Sequence, residues 1–336
     1  MRGAVTVRWL TLSLAAAVLQ PAPARQPPLH RYEATRLSMA SVYAIEAYGP
    51  DAERLPGIVS EAFDEVDRID RLMSHYKADS ALSRLNRSAA QHPVSVEPEL
   101  FELIAEAMRH SRDSNGAFDI TVGPLMKAWG FFRDEGRIPS PEALAAARRH
   151  VGYAHVQLRR ESHSIAFDAE GVELDLGGIA KGYAVDRAAT VLRQRGVPAA
   201  LISAGGSSIY AIGAPPAQDG WEVAIQDPLD SRKMARTVRI SDRAVSVSGR
   251  GEKSFESDGV TYSHIMDPRT GVPVQGMLSV TVLTTTATAG DALDNALFVL
   301  GWPGSRKLLS RLSSTEAYFF LPDGRGGWTV AYEAAR

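Results

Sequence analysis

Cysteine is absent from the 336 residues of this chain. Disulfide bonds, thiolate metal sites and a thiol nucleophile are thereby excluded, so an exported form would rely on its core alone. An excess of charge of one sign is also missing, since 37 Lys and Arg against 39 Asp and Glu leave a formal net charge of -2. Such a mixed surface lacks the basic patch that nucleic acid demands, and no nucleic-acid partner is expected. No segment repeats at a fixed period, and no tract is of low complexity. What remains is a chain that is 45% hydrophobic, ample for a buried core in one large domain or two.

Residues 1–8 carry two positive charges, residues 9–19 form a short apolar stretch, and Pro21-Ala-Pro-Ala24 follows. These are the parts of a secretory signal peptide over residues 1–24, and the apolar stretch falls short of the roughly 20 residues that a membrane span needs. Cleavage after Ala24 would remove Arg2 and Arg8 and take the formal charge to -4; a retained anchor is the alternative. Residues 25–31 read as a linker and 32–336 as the working domain, expected in the periplasm. Within it, 32–48 alternates like a strand or hairpin. Residues 52–76 read as a long amphipathic helix, with Ile58, Ala62, Val66, Ile69 and Leu72 at helical spacing. Further helices are expected over 97–112, 141–150, 180–195 and, as a pair, about 290–313, with short strands between them from residue 156 onward. This order predicts an α+β fold of mostly antiparallel sheets with helices packed on them.

Three motifs carry chemistry. In Glu173-Leu-Asp-Leu-Gly-Gly-Ile-Ala-Lys-Gly-Tyr-Ala-Val-Asp186 an apolar strand meets a glycine turn and then a helix. The free N–H groups of that helix form an anion site, and Lys181 stands in its first turn, where the dipole disfavours a cation. The spacing matches neither a Walker A loop nor a Gly-x-Gly-x-x-Gly fingerprint, and an ordinary turn with a solvated lysine is the competing reading. In Thr288-Ala-Gly-Asp-Ala-Leu-Asp-Asn-Ala-Leu-Phe-Val-Leu-Gly301, Asp291, Asp294 and Asn295 share one helix face. Their hard oxygens suit Mg²⁺ or Ca²⁺ rather than zinc; helix capping is the alternative. In Tyr262-Ser-His-Ile-Met-Asp-Pro-Arg-Thr-Gly271, His264 precedes a turn and could act as a general base or serve only the structure. Asp267 either orients it or caps the turn.

These motifs, in this order, resemble the ApbE family of FAD:protein FMN transferases. Ser74-His-Tyr76, Ser80-Ala-Leu-Ser-Arg-Leu-Asn86, Gly116-Ala-Phe-Asp-Ile-Thr-Val-Gly-Pro-Leu125 with Trp129-Gly-Phe, Ser203-Ala-Gly-Gly-Ser207 and Ser248-Gly249 extend the likeness over roughly residues 33–333. The resemblance implies an ApbE-like, T-fold-like architecture and a reaction in which FAD is cleaved at its pyrophosphate. FMN is esterified to a Thr or Ser hydroxyl of an exported or membrane redox protein, and AMP leaves. It places Met39, Tyr76, Ala117, Phe118, Asp119, Asp175, Lys181 and Ile265 at FAD. Mg²⁺ falls to the carbonyl of Gly178 and the side chains of Asp291, Asp294 and Asn295, and proton acceptance to His264. Tyr183 joins Tyr76 and Phe118 as a candidate for stacking on a flat ring. Asn295 stands where the family commonly has Thr, Met39-Ala40-Ser41 where it has Met-Gly-Thr, and Val247-Ser248-Gly249 where it often has Thr-Ser-Gly. Lacking cysteine, this chain cannot carry the cysteine-linked lipid of many members. An FAD pyrophosphatase and a non-catalytic FAD-binding protein are the rival readings.

Overall fold

A computed structural model describes residues 28–251 and 253–335; the expected signal segment and the first residues of the expected linker lie outside them. The alternation that predicts a strand or hairpin becomes β1 (His30–Ser38) and β2 (Ser41–Gly49), paired antiparallel from His30 opposite Gly49 to Ser38 opposite Ser41. The strand therefore begins two residues inside the segment read as linker, because the ladder with β2 continues past the apolar alternation.

Six more strands complete one sheet: β3 (Ala199–Ala204), β4 (Ser208–Ile212), β5 (Ala244–Gly249), β6 (Ser279–Thr284), β7 (Glu316–Pro322) and β8 (Trp328–Ala334). Their spatial order is their chain order and every neighbouring pair is antiparallel. The sheet is thus a meander whose turns have been opened by insertions. Because strands alternate in direction, the β1–β2, β3–β4 and β5–β6 connections all emerge at one end. The site lies there.

Helices α1 (Leu55–Met73), α2 (Ala81–Ser88), α3 (Pro98–Asp113), α4 (Gly123–Ala128), α5 (Pro141–Arg148) and α6 (Ala180–Gln194) belong to the β2–β3 insertion, and α7 (Ala287–Leu309) joins β6 to β7. Pro56 opens α1, where a missing N–H does no harm, after Asp51 has accepted the amides of Glu53 and Arg54. Its buried stripe is Leu55, Val59, Ala62, Phe63, Val66, Ile69 and Met73; Ile58 and Leu72 flank it, partly buried. Inside α7, Gly301 adopts φ 66 and ψ 171 just before Pro303, so the element is two helices meeting at the glycine, as its pattern predicts.

Strand alternation sends Tyr43, Ile45, Ile202, Val280, Val282 and Phe319 toward α1, α6 and α7. The opposite face meets a hairpin (Trp221–Gln226 with Met234–Ile240), where Trp221, Val223 and Val238 pack on Ile209, Val245 and Phe320. Each large side chain buried this way contributes about 1.5–3 kcal/mol. The β5–β6 insertion holds two small hairpins, Ser254–Ser257 with Val260–Ser263 and Met266–Asp267 with Val272–Pro273. They pack through Met266 on Trp129 and Phe131, suspending His264 over the end of the sheet.

Candidate active site

A cavity of about 660 Å³ opens at that end, and the thirteen residues that the resemblance places at FAD, at the metal and at proton acceptance all line it. Met39 comes from the β1–β2 turn, Tyr76 from the segment after α1, Ala117, Phe118 and Asp119 from the loop before α4. Asp175, Gly178 and Lys181 come from the glycine turn and α6, His264 and Ile265 from the hairpins, and Asp291, Asp294 and Asn295 from α7.

The glycine turn is fixed from its own sequence. Asp175 Oδ1 accepts the Gly177 amide at 2.8 Å and lies 3.2 Å from His75 Nδ1. A Cβ on Gly178 would come within 3.2 Å of the Phe118 ring and 3.3 Å of the Asn295 amide, so glycine brings turn and α7 together. Lys181, second residue of α6, is not a solvated lysine. Its Nζ donates to Ser207 Oγ at 2.6 Å and lines the cavity.

The capping reading of the α7 carboxylates does not hold. Thr286 is the N-cap, its hydroxyl accepting the Ala289 amide, and the first turn contains no acidic residue. Asp291 and Asp294 are 4% and 2% exposed, where an uncompensated charge would be costly. Donors from α6, β4 and β5, and one from α7 itself, compensate them. Asp291 accepts the Gly182 amide at 2.7 Å through Oδ2 and the Ser208 hydroxyl through Oδ1; Asp294 Oδ1 accepts Ser248 Oγ at 2.8 Å and Asn295 Nδ2 at 3.0 Å. Asn295 Nδ2 also donates to the Asp291 carbonyl at 2.9 Å, which leaves Oδ1 as the end of that amide able to meet a cation.

Among the described residues no three His, Cys, Asp or Glu side chains gather as a metal cluster. The donor set here is of another kind: two carboxylates, an amide and a glycine whose Cβ position is taken up by Asn295 and Phe118. It is all oxygen, as a hard divalent cation prefers. The cavity is lined by five aspartates, Asp70, Asp119, Asp175, Asp291 and Asp294, against three lysines, Lys77, Lys181 and Lys253. A polyphosphate entering such a site needs added positive charge, and the residues fit a cation that brings it.

His264 sits between the hairpins with its backbone amide on the Lys253 carbonyl at 2.9 Å. Its Nδ1 is 3.2 Å from the same carbonyl. A carbonyl only accepts, so Nδ1 carries the proton and Nε2 is the basic nitrogen of the neutral ring. Asp267 does not orient it. That carboxylate takes the Arg269 amide and guanidinium at 2.8–2.9 Å and caps the turn.

Tyr76 lies against His75, ring centroids 3.9 Å apart, and stacks on Phe132 at 5.1 Å. Burial, then the charges of Asp175 and Asp134, push its hydroxyl up to about 12, so it stays neutral. Phe118 is buried with its ring edge toward His110. Tyr183, expected to stack, points elsewhere and gives its hydroxyl to Glu99 at 2.8 Å. Asp119 is engaged by the Thr121 amide and hydroxyl and the Tyr153 amide at 2.6–2.9 Å. Burial outweighs those donors and raises its pKa. The β1–β2 turn is bent through positive φ at both Met39 (50°) and Ala40 (54°), and Tyr43 donates its hydroxyl to Met39 Sδ at 3.1 Å. The Lys253 carbonyl, His75 and the Ser208 hydroxyl were not foreseen in these roles. Only His75 carried a signal, as the neighbour of Tyr76.

Fold and cavity together define a class, an antiparallel α+β protein with an all-oxygen donor set, a lysine and a histidine gathered in one cavity. A solved ApbE protein of Thermotoga maritima superposes with a TM-score of 0.82 at 30% identity, covering 91% of this chain and 97% of that one. The apo flavinyl transferase ApbE of Pseudomonas stutzeri gives 0.80 at 32%, covering 91% and 95%. An FAD:protein FMN transferase of Salmonella typhimurium is 33% identical over 299 residues, 86% of this chain and 84% of that protein. The ApbE family model matches residues 39–319. The chain belongs to the ApbE family.

Proposed function

We propose that this protein is an Mg²⁺-dependent FAD:protein FMN transferase, which esterifies FMN from FAD to a Thr or Ser hydroxyl of an exported or membrane redox protein and releases AMP. One observation carries the reading. Lys181, the basic Nε2 of His264, and the Asp291, Asp294 and Asn295 face converge on a single cavity beside an aromatic wall, the combination that phosphoryl transfer from a flat-ringed dinucleotide requires.

Gly178, Asp291, Asp294 and Asn295 would hold the metal, which supplies charge neutralisation at the pyrophosphate. Tyr76 and Phe118 present apolar surface to a ring. Lys181 offers a positive charge steadied by Ser207. The acceptor oxygen forms a bond to the FMN phosphorus as the bond to the AMP phosphate breaks, and the hydroxyl proton passes to His264 Nε2. General-base assistance of this kind contributes about 10²–10⁴-fold. The N-terminal charge and apolar pattern supports export, with the enzyme acting in the periplasm.

The test is to incubate the protein with FAD, Mg²⁺ and an acceptor domain, then read acceptor mass and small-molecule products together. A mass gain of one FMN with AMP released is expected, and a chelator should abolish both. FMN and AMP beside an unmodified acceptor would turn the reading into a pyrophosphatase. FAD bound and left whole would make the protein a carrier.

A further inference from the structure

The site is divided between two helices, since α6 carries Lys181 behind Gly178 and α7 carries Asp291, Asp294 and Asn295. Something must hold them in register. On its outer side α6 is tied to α1 and α3: Arg187 Nε donates to Glu65 at 2.9 Å and lies 3.3 Å from Glu99, Tyr183 donates to Glu99, and Arg68 bridges both glutamates. On its inner side Asp186 reaches the start of α7. Asp186 Oδ1 accepts the Ala287 amide at 2.9 Å, while Oδ2 accepts the Thr288 amide at 2.8 Å and its hydroxyl at 2.5 Å.

These amides are orphan donors of α7's first turn, at the positive end of its dipole. Thr286 caps the helix from within by taking the Ala289 amide, which leaves the Ala287 and Thr288 amides to Asp186. The second cap comes from another helix, and its effect is positional. Asp186 lies about one turn beyond Gly182 on α6, and Ala287 and Thr288 lie about one turn before Asp291 on α7. Between them Gly182 gives its amide to Asp291 Oδ2 at 2.7 Å and approaches α7 so closely that a Cβ would stand 2.1 Å from the Ala287 carbonyl oxygen.

We propose that Asp186 is a positioning residue that sets the register of α7 on α6, and with it the placement of Lys181 relative to Asp291 and Asp294. Its meaning for catalysis rests on the transferase reading; its effect on register does not. The test uses the full-length protein and Asp186→Asn, which puts an N–H₂ group among three donors. Hydrogen exchange at the Gly182 amide, the direct reporter of the link to Asp291, is compared with exchange at Val280 and Val282 in β6. Transfer kinetics are measured alongside.

Gly182 should exchange about ten-fold faster or more with the β6 amides unchanged, and kcat should fall by about ten-fold or more while the KM for FAD moves less than about three-fold. A folded Asp186→Asn protein with Gly182 exchange within about two-fold of the parent, or with an unchanged kcat, overturns the proposal. If Asp186→Asn does not fold, Thr288→Val removes one hydroxyl bond only, and the same comparison is decided by a change of about three-fold at Gly182. Parent protein that transfers no FMN would defeat the transferase reading, while Gly182 exchange would still decide the register.

Discussion

A glycine-to-alanine change inside a helix ordinarily stabilises it by about 0.8–1 kcal/mol. Two helical glycines here should respond with opposite sign. Gly57, in the first turns of α1, has no atom within 4 Å of where a Cβ would go, whereas a Cβ on Gly182 would meet the Ala287 oxygen at 2.1 Å, its carbonyl carbon at 2.5 Å and the Thr288 nitrogen at 2.9 Å. Those three atoms are backbone, so no rotamer change relieves the overlap and α7 must withdraw by about 1 Å to reach ordinary contact distance. Overpacking costs about 1–3 kcal/mol, and stretching the Gly182 bond to a buried carboxylate removes part of an interaction worth about 1.5–3 kcal/mol. Together these exceed the helix-propensity gain. Chemical denaturation should therefore show Gly57→Ala more stable by about 0.5–1 kcal/mol and Gly182→Ala less stable by about 2–4 kcal/mol. A shift of this size at a reacting centre lowers turnover by about 10²-fold. Parent-like stability and transfer in Gly182→Ala would refute the close approach on which the two-helix site depends.

Three further outcomes are expected. His264→Ala should lose about 10²–10⁴-fold in transfer rate while still binding FAD, as read by flavin fluorescence, because only the proton acceptor is removed; normal transfer would end that assignment. Ala40→Gly should raise stability by about 0.5–1 kcal/mol in urea unfolding, since a non-glycine residue at positive φ costs about 1–2 kcal/mol and the added unfolded-state freedom returns only part of it. Glu65 is held down at about 2, against an ordinary 4.5, first by Arg68 and then by Arg187. A lowered carboxyl stabilises the fold above its unfolded value and loses that contribution as pH falls through its folded one. Acid unfolding of Glu65→Gln should consequently be flatter than the parent between about pH 4.5 and 2, and an identical acid limb would contradict the Arg68–Glu65–Arg187 arrangement.

The helices α1, α3, α6 and the broken α7 were legible because their lengths allow the apolar period to repeat and because Pro56, Pro98 and Gly301 mark ends among them, whereas α5, only eight residues long, was legible from Pro141 at its start. Eight and six residues are too few for that period to register in α2 and α4. The polar residues of the site were legible for a related reason. A buried carboxylate pair, a lysine against a helix dipole and a glycine turn each violate a local rule, and such violations mark function. Direction was not legible. Tyr183 and Phe118 are both aromatic beside a glycine-rich motif, yet only tertiary contacts send one hydroxyl to Glu99 and the other ring to the cavity.

Partnership across the chain was equally hidden, and here the architecture explains why. A meander with opened turns brings Ser207 to Lys181, Ser208 to Asp291 and Ser248 to Asp294 over separations of 26, 83 and 46 residues. The serines show no periodicity of their own, and their value lies in standing at the end of the sheet where α6 and α7 cross. Asp267 illustrates the converse. Three residues from His264, it looks like that histidine's partner, but its own turn supplies Arg269 as a nearer and charged donor. The histidine takes its orientation from the backbone of Lys253 instead. A carbonyl can only accept, so it holds the proton on Nδ1 and leaves Nε2 as the basic nitrogen of the neutral ring.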